Sequence, residues 1–202
     1  MYTFSVQANR TIKRLEEADL DKDNLQADLR LLLYGAKPAV LLPLGNLDVR
    51  CFVLEYPSLT VPRPIGKSGV LIFQNADLLV DYIRNTAMTV PSPRLGQNIL
   101  DCTKEKLGLL LGYPPVACRW FEDSMQLCLR KVNEKKCKIN YHGYRFVADE
   151  SMVEECVNWM KVNRPIPKEI QTGVTVSYAS EMDENGKVKS RKQVPYPTFL
   201  KM

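Results

Sequence analysis

Between residues 24 and 33 the apolar positions Leu25, Leu29, Leu32 and Leu33 recur at i, i+4, i+7 and i+8, the stripe of an amphipathic helix. Gly35 is placed to stop it. The next stretch, AKPAVLLPLGN, is apolar but broken by Pro38 and Pro43, and reads as an irregular segment or a short turn of helix. Residues 50–56 (RCFVLEY) and 69–73 (GVLIF) are short, branched and aromatic, which is strand composition. The proline- and glycine-rich PSLTVPRPIGKSG between them reads as an exposed loop, so the two strands are expected to pair antiparallel across it.

Residues 76–86 predict a helix with Leu79, Tyr82 and Ile83 on one side and Asn75 as N-cap. A linker is expected over 89–96, then a helix over 97–111 that buries Leu100, Leu107, Leu110 and Leu111. Gly112 suits the left-handed residue beyond that helix. Tyr113 precedes a proline and is pushed out of helical geometry. Pro114 and Pro115 fit the first turn of a following helix whose apolar face is Ala117, Trp120 and Phe121.

Further on, 138–141 and 144–148 predict a hairpin turned at His142-Gly143. Ser151-Met152-Val153-Glu154 has the spacing of a capping box, opening a helix with Val153, Cys156, Val157 and Met160 inward that stops before Pro165. Residues 172–180 and 187–194 flank Asp183-Glu184-Asn185-Gly186, whose Asn-Gly predicts a type I′ turn. The pattern describes an α+β fold: one compact domain over 1–168, with about five helices and a small, mostly antiparallel sheet. A C-terminal hairpin extension over 169–202 reads as an appended arm.

Composition narrows the class. At 202 residues, 45% hydrophobic and 25% charged, the chain has globular values and can bury a real core. No apolar run approaches the ~20 residues of a membrane span, and the amino terminus lacks the apolar core of a secretory signal, so a cytoplasmic protein is expected. Six cysteines lie without a CxxC pair, which in that compartment predicts reduced, partly buried thiols. A zinc set of Cys128, Cys137 and His142 matches no standard ligand spacing. No cofactor or metal is implied.

The net charge of +5 is concentrated. Over 130–145, six cations (Arg130, Lys131, Lys135, Lys136, Lys138 and Arg145) stand against Glu134 alone, and Asp149, Glu150, Glu154 and Glu155 then reverse the sign. Gly66-Lys67-Ser68 lacks the rest of a phosphate loop: Val61 occupies the position of its first glycine, and Pro62 and Pro64 remove backbone donors. The lone histidine, His142, falls at a predicted turn. No serine lies in a nucleophile elbow, no cysteine has a visible base, and no carboxylate pair announces acid–base work.

The order of elements resembles a family of small clostridial and related Firmicute proteins known as a domain of unknown function (three-seven-nine-three). LLLYGAKPAVLLPL (31–44), the strand and helix of 69–85, LGLLLGYPPVACRWF, and NYHGYRFVADESMVEECVNWM (140–160) carry the likeness, which covers residues 24–163. His142 stands where that family often has cysteine, and Arg145 where it has tryptophan. The resemblance implies an α+β domain and assigns no reaction.

A non-enzymatic interaction or regulatory protein that binds a protein partner is therefore expected. The alternative is a nucleic-acid-associated protein, or a phage-borne inhibitor of a host defence nuclease, acting through 130–145. The candidate nucleic-acid or partner contacts are Arg130, Lys131, Lys135, Lys136, Lys138, Tyr141, His142, Tyr144 and Arg145. The cations would grip phosphates while Tyr141, Tyr144 and Phe146 stack on bases. An exposed C-terminal hairpin could also add strands to a partner or to a second copy of the chain.

Overall fold

Gly35 and Gly112 both end a helix in the left-handed region, at φ +69° and +82°. Each supports the paired closing bonds of a Schellman motif: Gly35 N–H to Leu32 O with Ala36 N–H to Leu31 O (both 2.9 Å), and Gly112 N–H to Leu109 O with Tyr113 N–H to Gly108 O (both 3.0 Å). The structure, a computed structural model, describes residues 2–18, 27–43, 47–62, 68–86, 89–91, 98–100 and 104–201. The chain divides into two units, Met1–Cys102 and Thr103–Met202.

In the first unit, helices α1 (Val6–Glu17) and α2 (Ala27–Leu33) precede strand β1 (Ala39–Pro43) and helix α3 (Leu47–Glu55). Strands β2 (Ser58–Pro62) and β3 (Ser68–Phe73) and helix α4 (Ala76–Thr86) follow. The sheet order is β1-β3-β2, antiparallel throughout. As the central strand, β3 buries successive residues on both faces. Val70 and Ile72 join a core of Leu15, Leu29, Leu32, Val40, Leu42 and Phe52, while Phe73 meets Tyr82 of α4 with ring centroids 5.6 Å apart. Asn75 caps α4 as expected, its Oδ1 accepting from Leu78 N–H at 3.0 Å.

Three expectations are corrected here. Residues 39–43 form a strand, because Pro38 lies before it and Pro43 at its last position on a sheet edge, where no ladder donor is needed. Residues 50–55 are helical, and the partners of β3 are β1 and β2. In α3 the period is helical in fact: Phe52 and Tyr56, four apart, are buried and stack at 6.0 Å, while the intervening Val53 and Leu54 are exposed. Lastly, β4 (Thr89–Pro91) and β5 (Asn98–Leu100) pair where a linker and a helix start were expected. The helix α5 spans only Lys104–Leu110. Leu25 and the Gly66-Lys67 pair lie outside the described residues.

The second unit continues with α6 (Pro115–Ser124), α7 (Leu129–Lys135), β6 (Lys136–Tyr141), β7 (Tyr144–Asp149), α8 (Val153–Asn163), β8 (Val174–Met182), β9 (Val188–Pro195) and α9 (Tyr196–Phe199). Its antiparallel sheet has the order β7-β6-β8-β9. Pro114 is the N-cap of α6 and Pro115 its first residue, as expected. The predicted inward residues of α8 (Val153, Cys156, Val157 and Met160) are all buried. Its cap differs from the expectation: Asp149 Oδ1 accepts from Ser151 N–H at 3.0 Å and opens a short 3-10 turn ahead of the helix.

The fold is α+β. Among the described residues it has nine α-helical segments, sheets of three and four strands, and the β4-β5 pair, against the expected five or so helices and one small sheet. The boundary expected at 168/169 falls inside the second unit. There β8 pairs with β6, and Val176, Val194 and Tyr196 are buried, so the terminal hairpin is half of the sheet. Its turn also departs from type I′. Gly186 alone has positive φ (+75°), Gly186 N–H donates to Asp183 O at 3.0 Å, and Asp183 N–H donates to Lys187 O at 2.9 Å. That is a type I turn with a glycine bulge. The two-residue turn with positive φ at both centres lies instead at His142 (φ +50°) and Gly143 (φ +103°).

Candidate functional site

Strand alternation sorts the basic segment onto different surfaces. Along β6, Cys137, Ile139 and Tyr141 are buried, and on β7 so are Tyr144, Phe146 and Ala148. Tyr113, in the corner before α6, packs its ring 5.7 Å from Phe146 and 6.3 Å from Tyr144. The opposite face carries Lys136, Lys138 and Asn140 from β6 and Arg145, Val147 and Asp149 from β7. From β8 and β9 it receives Thr175, Ser177, Ala179, Arg191 and Gln193.

Register fixes two cross-strand rows on this outer face. Arg145, Asn140 and Thr175 form one, and Val147, Lys138, Ser177 and Gln193 the next. Arg191, two residues before Gln193, stands opposite Ala179. Together these side chains line a shallow concavity of about 410 Å³. The polar groups are partly committed: Asn140 Oδ1 accepts from Gly143 N–H at 2.8 Å, and Gln193 Nε2 donates to Thr175 Oγ1 at 3.3 Å.

The cations crowd one another. Partial burial, and then the positive charges of Arg191 and Lys138, hold the Lys136 ammonium below the ordinary lysine range. That ammonium also lies 5.9 Å from the Phe121 ring centroid. Among the described residues no ion pair involves Lys136, Lys138 or Arg191. Asp149, across from Lys136, is turned to Ser151, whose Oγ–H donates to its Oδ1 at 2.8 Å.

Of the nine candidate contacts, Lys136, Lys138 and Arg145 therefore meet on one face. Arg130, Lys131 and Lys135 belong to α7, where Arg130 pairs with Glu134 at 3.1 Å. Tyr141 and Tyr144 are core residues, so they are corrected as contacts: the alternation that exposes Lys138 turns them inward. His142 is a fastening. Its Nδ1 accepts from Gly173 N–H at 2.9 Å and Thr172 N–H at 3.2 Å, and the backbone N–H of His142 donates to Gly173 O at 3.0 Å, which docks the start of β8 on the β6-β7 turn. Burial lowers its imidazole below the ordinary value.

Cys128 is exposed at the N-cap of α7 while Cys137 is buried, so the zinc set weighed above is not assembled. Among the described residues no group of His, Cys, Asp and Glu could hold a metal ion. None of the described helices is long and apolar enough to cross a membrane. Sequence reasoning missed Arg191, Ser177 and Gln193 because it read the last hairpin as an arm. The available signal was the second run of cations, Lys187, Lys189, Arg191 and Lys192, with Val188 inside it and Val194 after it at the even spacing of one strand face. The chain matches no protein-family model, no curated protein and no solved structure.

Proposed function

We propose that the protein is a non-enzymatic binding protein, whose second unit takes an acidic segment of a protein partner on the open face of the β7-β6-β8-β9 sheet. The observation that carries this is the meeting of Lys138, Arg145 and Arg191 with neutral donors in one concavity of about 410 Å³. Charge complementarity supplies selection for an acidic partner and accelerates encounter. A nucleic-acid strand would find the cations but no stacking platform, since the outer positions hold no aromatic side chain and Tyr141, Tyr144 and Phe146 are buried. The helix-borne cations Arg130, Lys131 and Lys135 extend the positive field beside the face.

The test is capture from extracts of the native cell with the full chain and with a Lys138→Glu, Arg191→Glu variant, each with and without nuclease. A protein retained by the wild type after nuclease, and lost with the variant, is the expected result. Retention that nuclease abolishes would replace the reading with the nucleic-acid one. Equal retention by the variant would remove the sheet face from the account.

A further inference from the structure

We propose that the outer sheet face contains a subsite for a phosphomonoester, centred between Lys138 of β6 and Arg191 of β9 with Ser177 beside them, so that the preferred partner segment is phosphorylated. This rests on the reading of the face as the partner-binding surface.

Backbone register brings the groups together. Lys138 and Ser177 are direct cross-strand neighbours, as are Ser177 and Gln193. Arg191 is the next outward position along β9, facing Ala179, whose methyl group occupies little of the surface between the two cations. Lys138 is exposed and Arg191 half-buried. Arg191 Nη1 is shielded from solvent and has no hydrogen-bond partner among the described residues. A guanidinium donor left in that condition is costly; the same side chain lines the concavity, and turning it toward an oxyanion bound there would give Nη1 a partner.

The charge count selects the anion. Lys138 and Arg191 both line the concavity, with Lys136 beyond it on the same strand as Lys138, and no carboxylate is paired to any of the three among the described residues. A carboxylate or a phosphodiester offers a single negative charge. A phosphomonoester brings about −1.5 to −2 at neutral pH, with three acceptor oxygens for ammonium, guanidinium and hydroxyl donors. Bound there, the dianion would also offset the positive charges of Arg191 and Lys138, which act after partial burial in holding the Lys136 ammonium down. The surface is concave but open, which suits a side chain on an extended peptide.

The experiment is calorimetric titration of the full chain with a short acidic peptide carrying one central phosphoserine, and with the same peptide carrying Ser or Glu there. An oligodeoxythymidine and inorganic phosphate are titrated in parallel. The phosphopeptide is expected to bind at least about tenfold tighter than the other two peptides. That advantage shrinks as pH falls through about 6, where the phosphate gains its second proton. Lys138→Gln and Arg191→Gln should each remove it. Lys138 is exposed, so its variant keeps the test valid if the Arg191 variant fails to fold.

Equal binding of all three peptides, still sensitive to Lys138→Gln, would overturn the subsite and leave the proposed binding face standing. Absence of binding by every peptide would overturn both. Tighter binding of the oligonucleotide than of the phosphopeptide would move the site to nucleic acid. Inorganic phosphate as tight as the phosphopeptide would make it a site for free phosphate, overturning the phosphorylated partner.

Discussion

A Cβ atom built on Gly108 would lie 2.6 Å from Sγ of Cys118, so α5 and α6 meet at a point where only a hydrogen atom fits. Elsewhere in a helix, Gly→Ala gains about 1 kcal/mol from propensity. Here the contact must be relieved by moving a buried thiol, and overpacking of that kind costs about 1–3 kcal/mol. Gly108→Ala is therefore expected to lower stability in urea unfolding. Adding Cys118→Ala should recover most of the loss; a double variant no more stable than Gly108→Ala would mean the clash lies elsewhere.

The turn between β8 and β9 separates two neighbouring residues sharply. Gly186 has φ +75°, and a Cβ there would fall 2.4 Å from Arg130 Cβ and 2.6 Å from Arg130 Cα. Gly186→Ala should therefore cost at least about 2 kcal/mol, from left-handed backbone strain together with the collision against α7. Asn185 has no positive φ, and its N–H is held by Asp183 Oδ1 at 3.0 Å. Asn185→Ala is expected to stay within about 0.5 kcal/mol of wild type, as ordinary surface substitutions do. In a type I′ turn both changes would be severe, so thermal melts of the pair discriminate the two geometries.

Why these turns were only half legible follows from the kinds of signal involved. Gly112 followed by Tyr113-Pro114-Pro115 dictates a helix end and a helix start through backbone sterics alone, and that corner stands as read. The residues of α3 carry strand composition in a helical period, and the Phe52–Tyr56 stack decided the outcome through packing that composition does not express. Asn-Gly permits two turn types, and the choice at Asn185-Gly186 was made by Asp183, whose carboxylate accepts from both Asn185 N–H and Lys187 N–H (2.8 Å for the latter). The candidate face was visible as cations on β6 and β7. Its other half comes from β8 and β9, beyond helix α8 in sequence, and only the β6–β8 register joins them.

Thiol reactivity should follow burial. Burial first, then the neighbouring carboxylates, pushes the Cys118 and Cys156 thiols up to about 12 and Cys137 to about 11. Cys128 is exposed and Cys51 half-buried. At pH 8 an alkylating reagent is expected to modify Cys128 first, with Cys118, Cys137 and Cys156 protected until denaturant is added, as read by peptide mass spectrometry. Because the folded thiols hold their protons above the ordinary thiol value of 9.0, the unfolded chain releases protons first as pH rises. Stability should therefore decline from about pH 9 upward, and a Cys156→Ala variant should show a shallower decline.

His142 is expected to make the second unit sensitive to acid. Its Nδ1 must be unprotonated to accept from Thr172 and Gly173, and burial already holds the imidazole below its ordinary value of 6.5. A folded-state value below the unfolded one means that the unfolded chain binds the proton more readily. The stabilising contribution is thus complete above about pH 6.5 and is lost as pH falls through the folded-state value. Protonation would point an N–H at two backbone donors and loosen the docking of β8 on the β6-β7 turn. His142→Asn retains an acceptor and tolerates the local φ of +50°, but does not titrate in this range. Urea midpoints measured from pH 7.5 to 5 should fall more steeply for wild type than for His142→Asn. Parallel lines would show that the imidazole does not titrate with unfolding, and that its bonds to Thr172 and Gly173 contribute nothing specific to neutral histidine.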